Sequence, residues 1–236
     1  MLFDIFFISY QETNADSNWD HLRSCFPYAR RLHGVDGIHK AHSLAAKLAS
    51  SKYFWVVDGD STIVTDFDFT PPHKLMDQYQ KDKIDNVVYV YRALNPVNDL
   101  SYGYGGLKLL PRLATATMDT QSVDMTTSIS KHFYPVDQIA STTKFNTDPF
   151  STWKSAFRES VKLSSCIIDG QVDTDTQQRL DTWCTYHNGA AYGDWAIVGA
   201  NAGRRYGTDN KNNTEALRLI NNFDWLKKQY EYQMAN

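Results

Sequence analysis

Residues 53–60 read Tyr-Phe-Trp-Val-Val-Asp-Gly-Asp, an apolar run that stops on two carboxylates separated by one glycine. Five consecutive aromatic and β-branched residues describe a strand buried on both faces, the kind that lies inside an α/β sheet and not at its rim. Asp58 and Asp60 follow its carboxyl end, where open α/β sheets bind their ligands. Asp-Gly is also a common turn dipeptide, so a plain tight turn explains the same residues. The position after a core strand raises the ligand reading above the turn reading.

Outward from this strand, the pattern alternates. Leu2 to Tyr10 is an apolar run followed by the polar stretch QETNADSN, which reads as a first strand and its loop. A short helix capped by Asp16 or Ser17 runs to Cys25, Ala29 to His33 is a second strand, and Gly34 to Gly37 is a turn. Ala41, Leu44, Ala45 and Leu48 fall at the spacing of one helix face over Ile38 to Ser50. A helix over His73 to Lys81 and a strand over Asn86 to Ala93 continue the alternation, which predicts an α/β, Rossmann-like and mainly parallel sheet. Leu94 to Asn146 changes to Gly- and Ser/Thr-rich pieces, with a strand-like run at Val123 to Ile129. Beyond Asp148 the periodicity is helical: Phe150, Trp153, Phe157 and Val161 share one face, as do Leu217, Ile220, Phe223, Leu226 and Tyr230. We read residues 1–236 as one domain, with an α/β half at 1–112 and a helical half at 113–236.

Composition narrows the function classes. The chain has 236 residues, 42% hydrophobic and 22% charged, as in folded globular proteins. A net charge of −3 supplies no global positive field for nucleic acid, so any such contact is local. Cys25, Cys166 and Cys184 form no CxxC pair and read as reduced structural thiols of a cytoplasmic protein. The apolar start, MLFDIFFISY, carries Asp4, lacks a basic leader and is too short to span a bilayer. There is neither a Walker loop nor a dinucleotide glycine fingerprint.

Two carboxylates at a strand end suit a hard divalent cation, Mn2+ or Mg2+, that shares its oxygen shell with substrate phosphates. With the first loop FDIFFISYQETN, the segment HGVDGIHKAHSLAAKLASSKYFWVVDGD and the later GYGGLKLLP, the chain resembles glycosyltransferases of the GT-A fold. More narrowly it is similar to short tailed-bacteriophage glycosyltransferases, some of which glycosylate hydroxymethylated pyrimidines in DNA. The resemblance lies mainly in the first half.

It implies a UDP-sugar donor bound by Tyr10, Glu12, Asn14, His39, Lys40, Asp58 and Asp60, with Asp58 and Asp60 both at the metal, Asp60 as its principal ligand and Asp58 holding ribose or a metal-bound water. It places Tyr102, Tyr104, Gly105, Gly106 and Lys108 on the acceptor side, His187 as a further metal ligand and Asp148 as catalytic base. The implied acceptor is 5-hydroxymethylcytosine in phage DNA, or a sugar already on it, with the enzyme in the host cytoplasm. Other readings stay open at several of these positions. Asp148 before Pro149 is also a helix cap, Asn188 and Gly189 after His187 suit a helix C-terminus, and the acidic pair of inverting relatives is absent because Thr147 precedes Asp148. A cell-surface glycan or protein acceptor, a noncatalytic nucleotide-binding module and a nucleotidyltransferase also remain open.

Overall fold

Strand β3 (Tyr53–Asp58) is buried from Tyr53 to Val57, and its two faces feed two separate cores. Tyr53, Trp55 and Val57 pack with Phe7, Tyr89, Tyr91 and Leu109 on one side; Phe54 and Val56 pack with Phe6, Val88, Val90 and Leu110 on the other. This double burial is why the strand reads as a continuous apolar run. The computed structural model describes residues 3–103, 105–167 and 173–235.

In chain order the remaining elements are β1 (Ile5–Ser9), α1 (Ala15–Cys25), β2 (Arg30–His33), α2 (Ile38–Leu48), β4 (Ser61–Ile63), α3 (His73–Lys81), β5 (Val88–Leu94), β6 (Ser101–Tyr102), β7 (Leu107–Pro111), α4 (Arg112–Ala116), α5 (Met125–Ile129), β8 (Phe133–Thr143), α6 (Pro149–Ser165), α7 (Asp173–Thr185), α8 (Gly193–Asp209), α9 (Thr214–Arg218), a 3-10 turn (Leu219–Asn221) and α10 (Phe223–Ala235). The sheet order is β2-β1-β3-β7-β5-β8-β4, with β6 on β5. No described helix is long and apolar enough to cross a membrane.

The sheet is mixed, not mainly parallel. β1 pairs parallel with β2 and β3, and β5 with β8, but β7 is antiparallel to both β3 and β5, β4 to β8 and β6 to β5. Between β5 and β7 the described residues of the connection form no helix, and a parallel return needs a crossover that usually carries one. Strand β4 follows β3 after a two-residue turn yet pairs with β8, so the sheet curls on this side.

Three local expectations need correction. Val123–Ile129 is not strand-like: its Met125–Ile129 part is α5. Leu44 and Leu48 are 37% and 40% exposed, while His39, Ala41, His42, Ala45 and Ala46 face inward, because small residues let α2 lie close to the sheet. The last apolar face is not one helix but is divided among α9, the 3-10 turn and α10, although Leu217, Ile220 and Leu226 still share a core.

By chain contacts there are two compact units: Met1–Leu94, Ser101–Thr120 and Met125–Lys144 form the first, and Asn95–Leu100, Gln121–Asp124 and Phe145–Asn236 the second. The second is helical. Gly199, Gly203 and Gly207 on α8 lie against the carbonyls of Trp153, Phe157 and Val161 on α6, so the two helices meet backbone to backbone. Its cores gather Trp153, Phe157, Val161 and Leu226 on one side and Leu163, Trp183, Ala196 and Ala200 on another.

Candidate functional site

In the first unit the ends of β1 and β3, which are parallel neighbours, bring the first loop to the Asp58-Gly59-Asp60 turn. A Cβ on Gly59 would stand 2.8 Å from Glu12 Oε2 and 2.9 Å from Ser9 Cβ, so the turn approaches the loop as only glycine allows. Glu12 is oriented by the Tyr10 backbone N–H, which donates to Oε2 at 2.7 Å. Asn18, 4% exposed on α1, donates to the Gly59 carbonyl at 2.9 Å and accepts from the Thr62 hydroxyl at 2.7 Å. Asn14 donates to the Lys144 carbonyl at 2.8 Å, and the Lys144 amide donates to the Asp60 carbonyl at 2.7 Å. The carboxylates of Glu12, Asp58 and Asp60 are thus placed by a backbone frame that is itself hydrogen-bonded on three sides.

Lys108 has a place that its sequence position does not reveal. It sits on β7 opposite Val56, is 3% exposed, and sets its Nζ 2.8 Å from both Asp58 oxygens. Gly105, at φ +105°, covers it; a Cβ there would meet Lys108 Cε at 3.1 Å and Asp58 Oδ2 at 3.8 Å. Gly106 is ringed by Ser61, Ser141 and Thr143 hydroxyls, and its carbonyl accepts from the Asp58 amide at 3.0 Å. Lys108 therefore supports the carboxylate turn from beneath. Tyr102, 5% exposed, pairs with Ala93 and has its ring inside the fold, whereas Tyr104 lies outside the described residues.

On α2, Gly37 at φ +102° begins the helix without a side-chain cap, Lys40 is exposed, and His39 is 9% exposed. His42 is fully enclosed: its Nδ1 lies 2.8 Å from the Ile38 carbonyl, and burial first, then the Lys108 charge, push its imidazole down to about 3. It is a neutral ring donating from Nδ1. Arg31 and Asn18 carry roles that the sequence reading missed. Arg31 donates to Ser9 Oγ at 3.1 Å and pairs with Asp16 at 2.7 Å. Alternation along β2 could have separated Arg31 from Arg30, which instead lies over Phe6.

The second unit holds Asp148 and His187. Asp148 caps α6: Oδ1 accepts from the Ser151 amide at 2.9 Å and Oδ2 from the Ser151 hydroxyl at 2.6 Å. Burial pushes its carboxyl up, but the hydrogen bonds from Ser151, Thr147 and the Phe150 amide outweigh it and hold the group below the ordinary value. His187 lies between α7 and α8 with both ring nitrogens engaged: Nδ1 accepts from the Gly189 amide at 3.1 Å, and Nε2 lies 3.2 Å from Asp194 Oδ1. Gly189 has φ +88°, the left-handed conformation. Among the described residues no three His, Cys, Asp or Glu side chains form a cage for a metal ion.

No family model matches the chain, and no curated protein matches it. Among solved structures it is similar to HddC from Yersinia pseudotuberculosis, with 14% identity over 58% of this chain and 69% of that one and a TM-score of 0.32. It is also similar to S. aureus TarS 1–349, with 8% identity over 99% of this chain and 92% of that one and a TM-score of 0.34.

Proposed function

We propose that the chain is a glycosyltransferase of the GT-A type that moves a sugar from a UDP-sugar to an acceptor hydroxyl with a divalent cation. The observation that carries this reading is the Asp58-Gly59-Asp60 turn at the end of β3, packed so closely on Glu12 that a Cβ on Gly59 has no room. Acidic oxygens gathered at the carboxyl end of a strand have a use when a cation and a diphosphate join them.

The residues fit such a group if the cation takes most of its oxygens from the substrate. No three-residue cage is present among the described residues, and Mg2+ or Mn2+ sites for phosphates commonly use one or two carboxylates. Asp60 would be the protein ligand. A bound cation would offset negative charge on the departing diphosphate. Asp58, held by Lys108, keeps lone pairs to accept from ribose hydroxyls or a bound water. Tyr10 offers a ring for the base, and Glu12 offers its second oxygen.

For the acceptor we propose 5-hydroxymethylcytosine in DNA, which rests on the resemblance to phage enzymes. The net charge of −3 requires any DNA contact to be local. The test is UDP release from a panel of UDP-sugars with Mn2+, with and without hydroxymethylcytosine DNA, followed by mass analysis of digested nucleosides. A nucleoside heavier by one sugar is the expected result. UDP release that ignores DNA would keep the transferase and reject this acceptor, and no release with any donor would reject the transferase.

A further inference from the structure

Helices α2 and α4 lie on one face of the sheet and α3 on the other: Ala45, Ala46 and Ala49 pack with Ala114 and Ala116 in the core of Phe6, Phe54 and Leu110, whereas Leu75, Met76 and Tyr79 join the opposite core. Two hydrogen bonds set α2 and α4 antiparallel. The Arg112 amide donates to the Lys52 carbonyl at 2.9 Å, just past the end of α2, and the Ser43 hydroxyl donates to the Ala116 carbonyl at 3.2 Å. This brings Leu113, 69% exposed, alongside the carboxyl-terminal half of α2, where Leu44 and Leu48 are also exposed.

The same surface is basic. Lys47 and Lys52 are exposed, Arg30 lies over Phe6 with its guanidinium donating to the Leu48 carbonyl at 3.1 Å, and Arg112 opens α4. No acidic residue occurs from Gly37 to Val57 or from Leu100 to Met118, and among the described residues none of these four cations forms an ion pair. Asp4, at the rim, is taken up by the amides and hydroxyls of Ser50 and Ser51. Exposed leucines set among cations that lack acidic partners combine the two attractions of a lipid interface, apolar insertion and anionic headgroups. A nucleic-acid backbone has no use for the leucines, and a second copy docking by the same face would bring like charges together.

We propose that the α2–α4 face docks on the surface of an anionic lipid bilayer, the three leucines entering the headgroup boundary and the four cations meeting lipid phosphates. The face lies on the bilayer and does not cross it. The proposal does not depend on the transferase reading, because none of these seven residues is assigned to donor, cation or acceptor.

The experiment is cosedimentation of the full chain, without donor or metal, with vesicles of phosphatidylcholine alone and of phosphatidylcholine mixed with phosphatidylglycerol. Binding to the anionic vesicles only, weakened by added salt, is expected. Each cation near such a surface strengthens binding about fivefold, so Lys47→Gln with Lys52→Gln is expected to weaken it about twentyfold. Leu113→Ser is expected to weaken it about tenfold, and Lys81→Gln on α3, on the other face of the sheet, to leave it unchanged. All these side chains are exposed, and circular dichroism checks that each variant keeps its fold. Failure to bind anionic vesicles would overturn the proposal, as would equal binding to neutral ones or a loss from Lys81→Gln as large as from the α2–α4 variants. Binding to unmodified duplex DNA that the paired lysine substitution abolishes, with vesicles ignored, would make the face a nucleic-acid surface instead. An oligomer that Leu113→Ser dissociates, again with vesicles ignored, would assign the face to a second copy.

Discussion

The side-chain amide of Asn18 on α1 donates to the backbone carbonyl of Gly59 at 2.9 Å, so a helix residue supports the turn that presents Asp58 and Asp60. Asn18 Oδ1 accepts from Thr62 at the same time, and Asn18 is 4% exposed. Asn18→Leu leaves the Gly59 carbonyl and the Thr62 hydroxyl without these partners. The expected cost is about 1–3 kcal/mol in urea unfolding, together with weaker UDP binding by calorimetry. Full stability and unchanged UDP affinity would show that the turn holds itself.

Gly59 is a second test of the same turn. Its φ is not in the left-handed region, so Gly59→Ala acts through the Cβ alone, which would stand 2.8 Å from Glu12 Oε2 and 2.9 Å from Ser9 Cβ. Glu12 can swing, but Ser9 belongs to β1 and cannot move without its strand. Overpacking of this kind costs about 1–3 kcal/mol. A folded Gly59→Ala protein with at least tenfold weaker UDP binding is expected; donor binding at the original level would separate the turn from the site.

How far these residues can be read in advance depends on whether their setting is local. α1 is a helix as expected, but neither Asp16 nor Ser17 caps it, because it already begins at Ala15 after Asn14, with no side-chain cap. β3 is legible because both of its faces are apolar, α3 is found at the expected residues, and the start of α6 is legible from its Asp148 cap. β8 is not: FYPVDQIASTT contains a proline, carries exposed residues at Pro135, Asp137, Gln138 and Ile139, and joins β5 through register shifts. Its partner defines it as a strand. Met125–Ile129 fails in the other direction, since Thr126 and Thr127 favour strands locally but the chain makes one short helix there. Lys108 in LKLLP looks like a surface lysine near phosphate, because nothing nearby in sequence announces that Asp58, fifty residues earlier, receives it.

Asp148 offers a test that separates capping from proton transfer. Asparagine caps helices about as well as aspartate, whereas alanine does not. Asp148→Ala is expected to lower stability by about 0.5–2 kcal/mol, and Asp148→Asn to retain most of it. Because hydrogen bonds outweigh burial and hold the carboxyl below its ordinary value, it is a weak proton acceptor, and transfer by Asp148→Asn is expected within severalfold of the unaltered enzyme. A loss of a hundredfold or more in kcat with the cap preserved would instead assign Asp148 as the base.

In the second unit, Gly199, Gly203 and Gly207 let α8 approach the backbone of α6. Helix propensity alone favours Gly→Ala by up to about 1 kcal/mol, so packing and propensity make opposite predictions. A Cβ on Gly203 would strike the Phe157 carbonyl, a backbone group, so packing should win. Gly203→Ala is expected to destabilise the chain by about 1–3 kcal/mol in chemical denaturation, and a stabilised variant would mean that the helices can separate without loss.

His42 should set part of the acid sensitivity. Its folded value is pushed to about 3, by burial first and by Lys108 second, against about 6.5 for an unfolded histidine. Below pH ~6.5 the unfolded chain binds a proton that the folded chain refuses, so stability falls as pH drops through the window from ~6.5 to ~3. The slope from this one group approaches about 1.4 kcal/mol per pH unit. Lys108 and His39 are the charged or titratable groups that bear on the ring, and both disfavour its protonated form. Replacing His42 with glutamine removes the titration while leaving an amide that can donate to the Ile38 carbonyl. Urea unfolding of His42→Gln between pH 7 and 4 is therefore expected to show a flatter decline than the unaltered chain. An identical slope would place the acid sensitivity elsewhere, as with Asp4 and Asp148, whose carboxyls are raised by burial but lowered more by hydrogen bonds and so lose their stabilisation at lower pH.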